Sequence, residues 1–146
     1  MQSRFMDRAV ELAEKAAATG EVPVGAVIVK DGVIIAEGYN KREQKQNALS
    51  HAETEAINAA CKYLSSWRLD GCTIYVTLEP CPMCAGAIIN ARIKEVVFGA
   101  YDLQMGAVDS AISFSALPFA ADITVYGGIR EEKCKKLLTD FFKEKR

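Results

Sequence analysis

The chain has 146 residues, 50% of them hydrophobic and 25% charged, which suits one folded domain over 1–146 and excludes a fibre or a disordered tail. Its formal net charge of -1 excludes a broad basic surface of the kind that grips nucleic acid non-specifically, so any nucleic-acid site must be local. No apolar run approaches the roughly 20 residues needed to cross a bilayer, so the expected location is the cytoplasm, where the five cysteines stay reduced and act as metal ligands or small buried residues.

Ser3 reads as an N-cap, and Phe5, Met6, Ala9, Leu12, Ala13 and Ala16 recur at helical spacing until Gly20 closes the run. Two β-rich runs follow at 22–29 and 33–35, separated by Lys30-Asp31-Gly32, where Asp-Gly supplies the positive φ angles of a tight hairpin turn. Residues 40–50 are polar and aperiodic and read as a loop. Ser50 then reads as the cap of a helix over 51–63, built on Ala52, Ala56, Ala59 and Ala60.

A strand at 73–78, a helix from 81 to 91 rich in Ala and Ile, and a strand at 94–99 form a strand-helix-strand unit with short links, which implies parallel pairing through a right-handed crossover. Residues 101–115 read as a loop with room for one helical turn and 123–126 as a fifth strand, and Gly127-Gly128 breaks the chain. The last helix places Cys134, Leu137, Leu138, Phe141 and Phe142 on one apolar face. The expected architecture is α/β: three layers, with helices on both faces of a mixed five-stranded sheet.

Chemistry concentrates at four positions. His51 is the only histidine, Glu53 follows two residues later, and Cys81 and Cys84 open the next helix. Cysteines three apart in a first helical turn face the same way, and the free N–H groups there favour thiolates. One imidazole and two thiolates give a three-ligand zinc site with an open fourth position, the pattern of a catalytic centre. Zinc lowers the pKa of bound water to about 7, and Glu53 is placed to carry protons rather than to bind metal. Each fragment alone has a plainer reading. The CxxC pair also fits a redox motif or half of a structural zinc site, and Cys61, Cys72 and Cys134 sit in apolar patterns that suit buried small residues.

His51-Ala52-Glu53 and Pro80-Cys81-Pro82-Met83-Cys84 resemble the H-x-E and P-C-x-x-C signature of the cytidine deaminase superfamily. With the 21–27 segment, Gly38-Tyr39-Asn40, Thr77-Leu78-Glu79, the 85–88 segment and Val97-Phe98-Gly99-Ala100, the chain is similar to the bacterial tRNA-specific adenosine deaminases over most of its length. The resemblance implies a cytidine deaminase-like fold, one zinc ion per chain, and hydrolysis of adenosine to inosine at the wobble position of a tRNA anticodon loop, with the base flipped into the pocket. It further implies that Asn40 contacts the nucleoside, that Pro23 and Val24 wall the pocket, that Ala52 offers a backbone contact, and that Asp102 meets the sugar-phosphate chain.

By the same resemblance, Phe141 and Phe142, with Lys143, Lys145 and Arg146, form an aromatic and basic C-terminal helix, Phe142 being a substrate contact. It also implies a homodimer, for which Ala107, Val108, Ala111, Ile112 and Phe114 offer an apolar surface, although an ordinary core explains these residues equally well. The pattern departs from the family at Tyr101, where Arg is usual, at Asn47-Ala48-Leu49-Ser50, and at Leu117-Pro118-Phe119-Ala120-Ala121, which lacks the family's Asn and His. Two other readings remain open: a zinc-dependent deaminase of free bases or nucleosides, and a non-enzymatic zinc-stabilised module.

Overall fold

In the computed structural model, which describes residues 3–144, the first helix α1 spans Ser3–Ala18 and buries Phe5, Met6, Ala9, Val10, Leu12, Ala13 and Ala16. It is followed by β1 (Gly25–Lys30) and β2 (Val33–Tyr39), paired antiparallel. Asp31 and Gly32 both have positive φ, 52° and 76°, as the turn chemistry requires. The polar stretch expected as pure loop contains one short helix, α2 (Arg42–Lys45). Then come α3 (Ala52–Leu64), β3 (Cys72–Leu78), α4 (Pro82–Asn90), β4 (Glu95–Ala100), a single 3-10 turn at Phe114–Ala116, β5 (Thr124–Tyr126) and α5 (Glu131–Glu144).

The sheet order is β2-β1-β3-β4-β5. β1 is antiparallel to both neighbours, whereas β3, β4 and β5 run parallel, so the sheet is mixed as expected. α1 and α5 cover one face over Val27, Val29, Tyr75 and Val97. The other face carries α3 and α4 over Ala26, Ile28, Ile74, Val76, Val96 and Phe98. Ile28, Ile74, Ile88 and Phe98 are fully enclosed, and each such side chain contributes about 1.5–3 kcal/mol of burial.

What positions the site is how closely α3 lies on the sheet. Ala52, Ala56 and Ala60, spaced one helical turn apart, are completely buried and present only methyl groups to β2. Gly38 of β2 lies directly beneath them, and a Cβ there would collide with the Ala52 carbonyl and the Ala56 amide. The first turn of α3 is therefore held at a fixed height over the sheet edge.

Helix starts differ by one residue from the sequence expectation. His51, not Ser50, is the N-cap of α3: its carbonyl accepts the first helical bond, from Glu55 N at 3.0 Å, and its own N–H donates to Thr54 Oγ1 at 3.0 Å. Ser50 is buried, and its backbone carbonyl accepts from Lys41 N at 3.0 Å, tying the two ends of the loop together. Likewise Cys81 caps α4, with Pro82 inside the first turn. Among the described residues no helix is long and apolar enough to cross a membrane. Lys145 and Arg146 of the basic C-terminal group lie outside the described residues.

Candidate metal centre and active site

α3 and α4 both begin at one end of the sheet, beside the C-terminal end of β3, where a parallel sheet offers its binding crevice. Their N-caps, His51 and Cys81, therefore meet, and Cys84 joins them from the first turn of α4. His51 Nδ1 lies 3.7 Å from Cys81 Sγ and 3.6 Å from Cys84 Sγ. The three ligand atoms all lie within 4.8 Å of one another, the one such cluster of potential ligands among the described residues. A tetrahedral zinc with Zn–S of about 2.3 Å and Zn–N of about 2.0–2.1 Å separates its S and N ligands by about 3.6 Å. The donor set and spacing fit zinc, and Nδ1 is the ring atom that faces the thiols.

The electrostatics of the cluster follow from the same geometry. Hydrogen bonds from the Cys84 thiol and from His51 pull the Cys81 thiol down to about 4, so that one ligand is held as a thiolate. The Cys84 thiol is pushed up by donating to Cys81 and by burial. Its bond with Cys81 raises the His51 imidazole. Two helix N-termini aimed at one point reinforce this preference for anionic sulfur.

Glu53 lies in the first turn of α3, 4% exposed. Burial pushes its carboxyl up to about 7, the range in which a group both takes and gives protons at neutral pH. It shares a cavity of about 220 Å3 with His51, Ala52, Cys81, Val22, Val24, Leu78, Glu79, Asn40, Arg42, Asp102 and Met105. Apolar groups form most of the wall and polar groups converge at the floor and mouth, the usual composition of a small-molecule site. The volume suits one heterocycle.

Of the residues expected at this site, His51, Glu53, Cys81, Ala52, Val24, Asn40 and Asp102 line the cavity, and Cys84 lies fully buried behind it. Asn40 also shapes the loop: its Oδ1 accepts from Arg42 N at 3.2 Å and its Nδ2 donates to the Val22 carbonyl at 3.4 Å. Asp102 Oδ1 accepts from Gln104 N at 3.2 Å and Met105 N at 3.1 Å, capping a turn.

Pro23 and Phe142 are not among the lining residues. Pro23 is buried beside Val24. α5 begins near this end of the sheet, with Cys134 packed under Gly99, and then runs away from it. Phe142 is two turns further on, half exposed, with its ring edge-on to Phe141 at 5.4 Å.

Sequence reasoning did not single out Arg42, Glu79 and Met105 as pocket residues. An acid directly after an apolar strand, before Pro80, was the available signal for Glu79.

Ala107, Val108 and Phe114 belong to the core, whereas Ala111 and Ile112 are exposed. Of the three spare cysteines, Cys72 and Cys134 are buried and Cys61 partly so, as expected of small residues in apolar patterns.

The MafB19-like deaminase family model matches residues 1–146. A tRNA-specific adenosine deaminase of Bacillus subtilis is 46% identical over 97% of this chain and 89% of its own length. A solved structure described as belonging to a study of A-to-I editing by tRNA deaminases at the wobble position superimposes with a TM-score of 0.89, at 40% identity, over 94% of this chain and 100% of that one. A guanine deaminase structure from Bacillus subtilis matches with a TM-score of 0.68, at 44% identity, over 77% of this chain and 71% of that one. With the H-x-E and P-C-x-x-C residues gathered at one cavity and identity this high over nearly the whole length, the chain belongs to the bacterial tRNA-specific adenosine deaminases, within the MafB19-like deaminase family.

Proposed function

We propose that this chain converts adenosine to inosine at the wobble position of a tRNA anticodon by hydrolytic deamination, with His51, Cys81 and Cys84 holding one zinc ion and Glu53 carrying the protons. The observation that carries the reading is a three-donor His-Cys-Cys cluster beside a buried carboxylate at the floor of a cavity sized for one base. Zinc bound there supplies a Lewis acid that makes water a competent nucleophile at neutral pH.

The protein's own groups supply the rest. Val22, Val24, Leu78 and Ala52 enclose the ring and exclude bulk water, which strengthens the polar contacts at the floor. The Glu53 carboxylate relays the two protons of the attacking water in turn, the first to ring nitrogen N1, where it stays, and the second, from the new C6 hydroxyl, to the exocyclic amine, which leaves as ammonia while the water oxygen remains at C6. Asn40, through the part of its amide not engaged with the loop, and Asp102, through its free Oδ2, orient the ribose and backbone at the mouth. Arg42, half exposed at the rim, offers a guanidinium to a neighbouring phosphate.

The test is to incubate the protein with an anticodon stem-loop bearing adenosine at the wobble position and, separately, with free adenine, guanine, cytosine and their nucleosides. Inosine in the RNA supports the reading. Ammonia released only from free bases replaces it with the free-base activity, which the similarity to a guanine deaminase favours.

We place the reaction in the cytoplasm, with the enzyme as a homodimer. Exposed Leu49 and Ile112, and a groove in which Leu49, Ile57 and Ala87 stand among polar residues such as Asn47, Glu55 and Asn58, support a contact of mixed character. Sedimentation at one protomer mass would remove the dimer.

A further inference from the structure

Glu79 directly follows β3 and is 2% exposed. No ion pair among the described residues involves it. A buried carboxylate without a cationic partner persists only where hydrogen-bond donors replace its lost water. Here a single loop supplies all of them. Oε1 accepts from Asp102 N at 3.1 Å and from Ser110 Oγ at 2.5 Å. Oε2 accepts from Val108 N at 3.3 Å, Asp109 N at 2.8 Å and Ser110 N at 2.8 Å. The successive amides of 108–110 form an anion-binding concavity around one oxygen. Ala107 N adds a bond to the Pro80 carbonyl at 2.9 Å. Gly106 is packed so tightly against the carboxylate that a Cβ there would overlap it.

Both oxygens are thus committed, which leaves Glu79 no capacity to act as a second proton carrier although it borders the cavity. What the carboxylate does is pin both ends of an arc that begins at Asp102 and carries Met105 in its middle, both of them at the pocket mouth. On the nucleoside reading of that pocket, this arc faces the part of the substrate outside the base.

We infer that Glu79 is a positioning residue: by clamping the 102–110 loop it sets Asp102 and Met105 in place and so governs binding of the sugar-phosphate portion of the substrate, leaving the chemical step to the floor. Glu79→Gln keeps the shape but turns an NH2 group towards the N–H donors. In Glu79→Gln with zinc still at one per chain, amide exchange at 108–110 should accelerate at least about tenfold while β3 and β4 stay protected. KM for the stem-loop should rise about tenfold with kcat within about threefold.

Unchanged exchange overturns the clamp. Faster exchange with unchanged KM, or a fall in kcat at constant KM, overturns the positioning role. Should Glu79→Gln fail to fold, Ser110→Ala, which removes one of the donors, and Gly106→Ala, which displaces the carboxylate, must both raise KM, and no change in either defeats the inference. If the wild-type protein leaves the stem-loop unedited, the substrate reading fails by itself, and the exchange measurement still decides whether Glu79 holds the loop.

Discussion

The floor of the pocket and its rim are built on different principles. The floor consists of the first turns of α3 and α4, regular helices locked to the sheet by alanines, Gly38 and Ile88, so its side chains inherit the rigidity of the core. The rim consists of two irregular segments, each hung from one buried glutamate. Glu79 grips the 102–110 loop, and Glu21, 1% exposed, accepts from Glu43 N at 3.1 Å and Gln44 N at 2.6 Å, holding the one-turn α2 that carries Arg42. A rigid floor fixes what reaction is run, and a separately tethered rim is free to change what substrate is admitted. The departures from the family pattern lie at Tyr101, 47–50 and 117–121, outside the floor residues.

Substitutions can break this division. The largest effect is expected at the floor: Cys84→Ala removes a metal ligand, so zinc per chain should fall towards zero and turnover drop at least about 1000-fold on every substrate. Metal analysis beside an inosine assay checks this, and retained turnover would undo the assignment of the centre. Glu53→Gln should lower kcat by roughly 100- to 10,000-fold while zinc content and melting temperature stay near wild type, because the site loses a proton carrier and no ligand.

At the rim the pattern should reverse. Asp102→Asn keeps the Oδ1 acceptor of the turn and removes the charge, and it should raise KM for the stem-loop by about tenfold with little change in kcat. If kcat falls instead, floor and rim are not separable. The smallest effect is expected away from both, at the ion pair joining α1 to β2. There the Arg8 guanidinium donates to Glu37 at 2.6 and 2.9 Å and holds its carboxyl below the usual 4.5.

A depressed carboxyl stabilises the fold above its unfolded value and loses that contribution as pH falls through the folded one. With both side chains over a third exposed, Arg8→Ala should destabilise by less than about 1 kcal/mol at pH 7. Thermal melts at pH 7 and pH 3 should show the difference shrink on acidification, with editing and zinc untouched at pH 7.

The same division explains what was legible in the sequence. The floor was readable because its signals are local: alanines one turn apart mark the buried face of α3, and two cysteines three apart at a helix start dictate a shared ligand direction. The rim was not, because its order comes from contacts distant in sequence. Residues 42–45 are helix formers in a run too short and too polar to show a helical period, and they turn helical where Glu21, more than twenty residues earlier, satisfies the amides of Glu43 and Gln44. Ser50 looks like a cap, yet its carbonyl is taken by Lys41, which moves the helix start to His51. Glu79 follows the last residue of β3 and Glu21 precedes the apolar Val22, and both show their role only once the loops they hold are folded against them.

The spacing of 3.6 to 3.7 Å between the imidazole nitrogen and the two sulfurs has a consequence for maturation. The ligands are delivered by α3 and α4, both packed into one core on the sheet, so the ion adds binding energy to a finished fold, unlike a zinc finger, which has no fold until its metal arrives. Chelation should therefore strip activity while leaving helix content intact, and added zinc should restore it without a refolding step. A cell starved of zinc would then keep a reservoir of intact, dormant enzyme awaiting its ion, rather than a stream of chains destined for proteolysis.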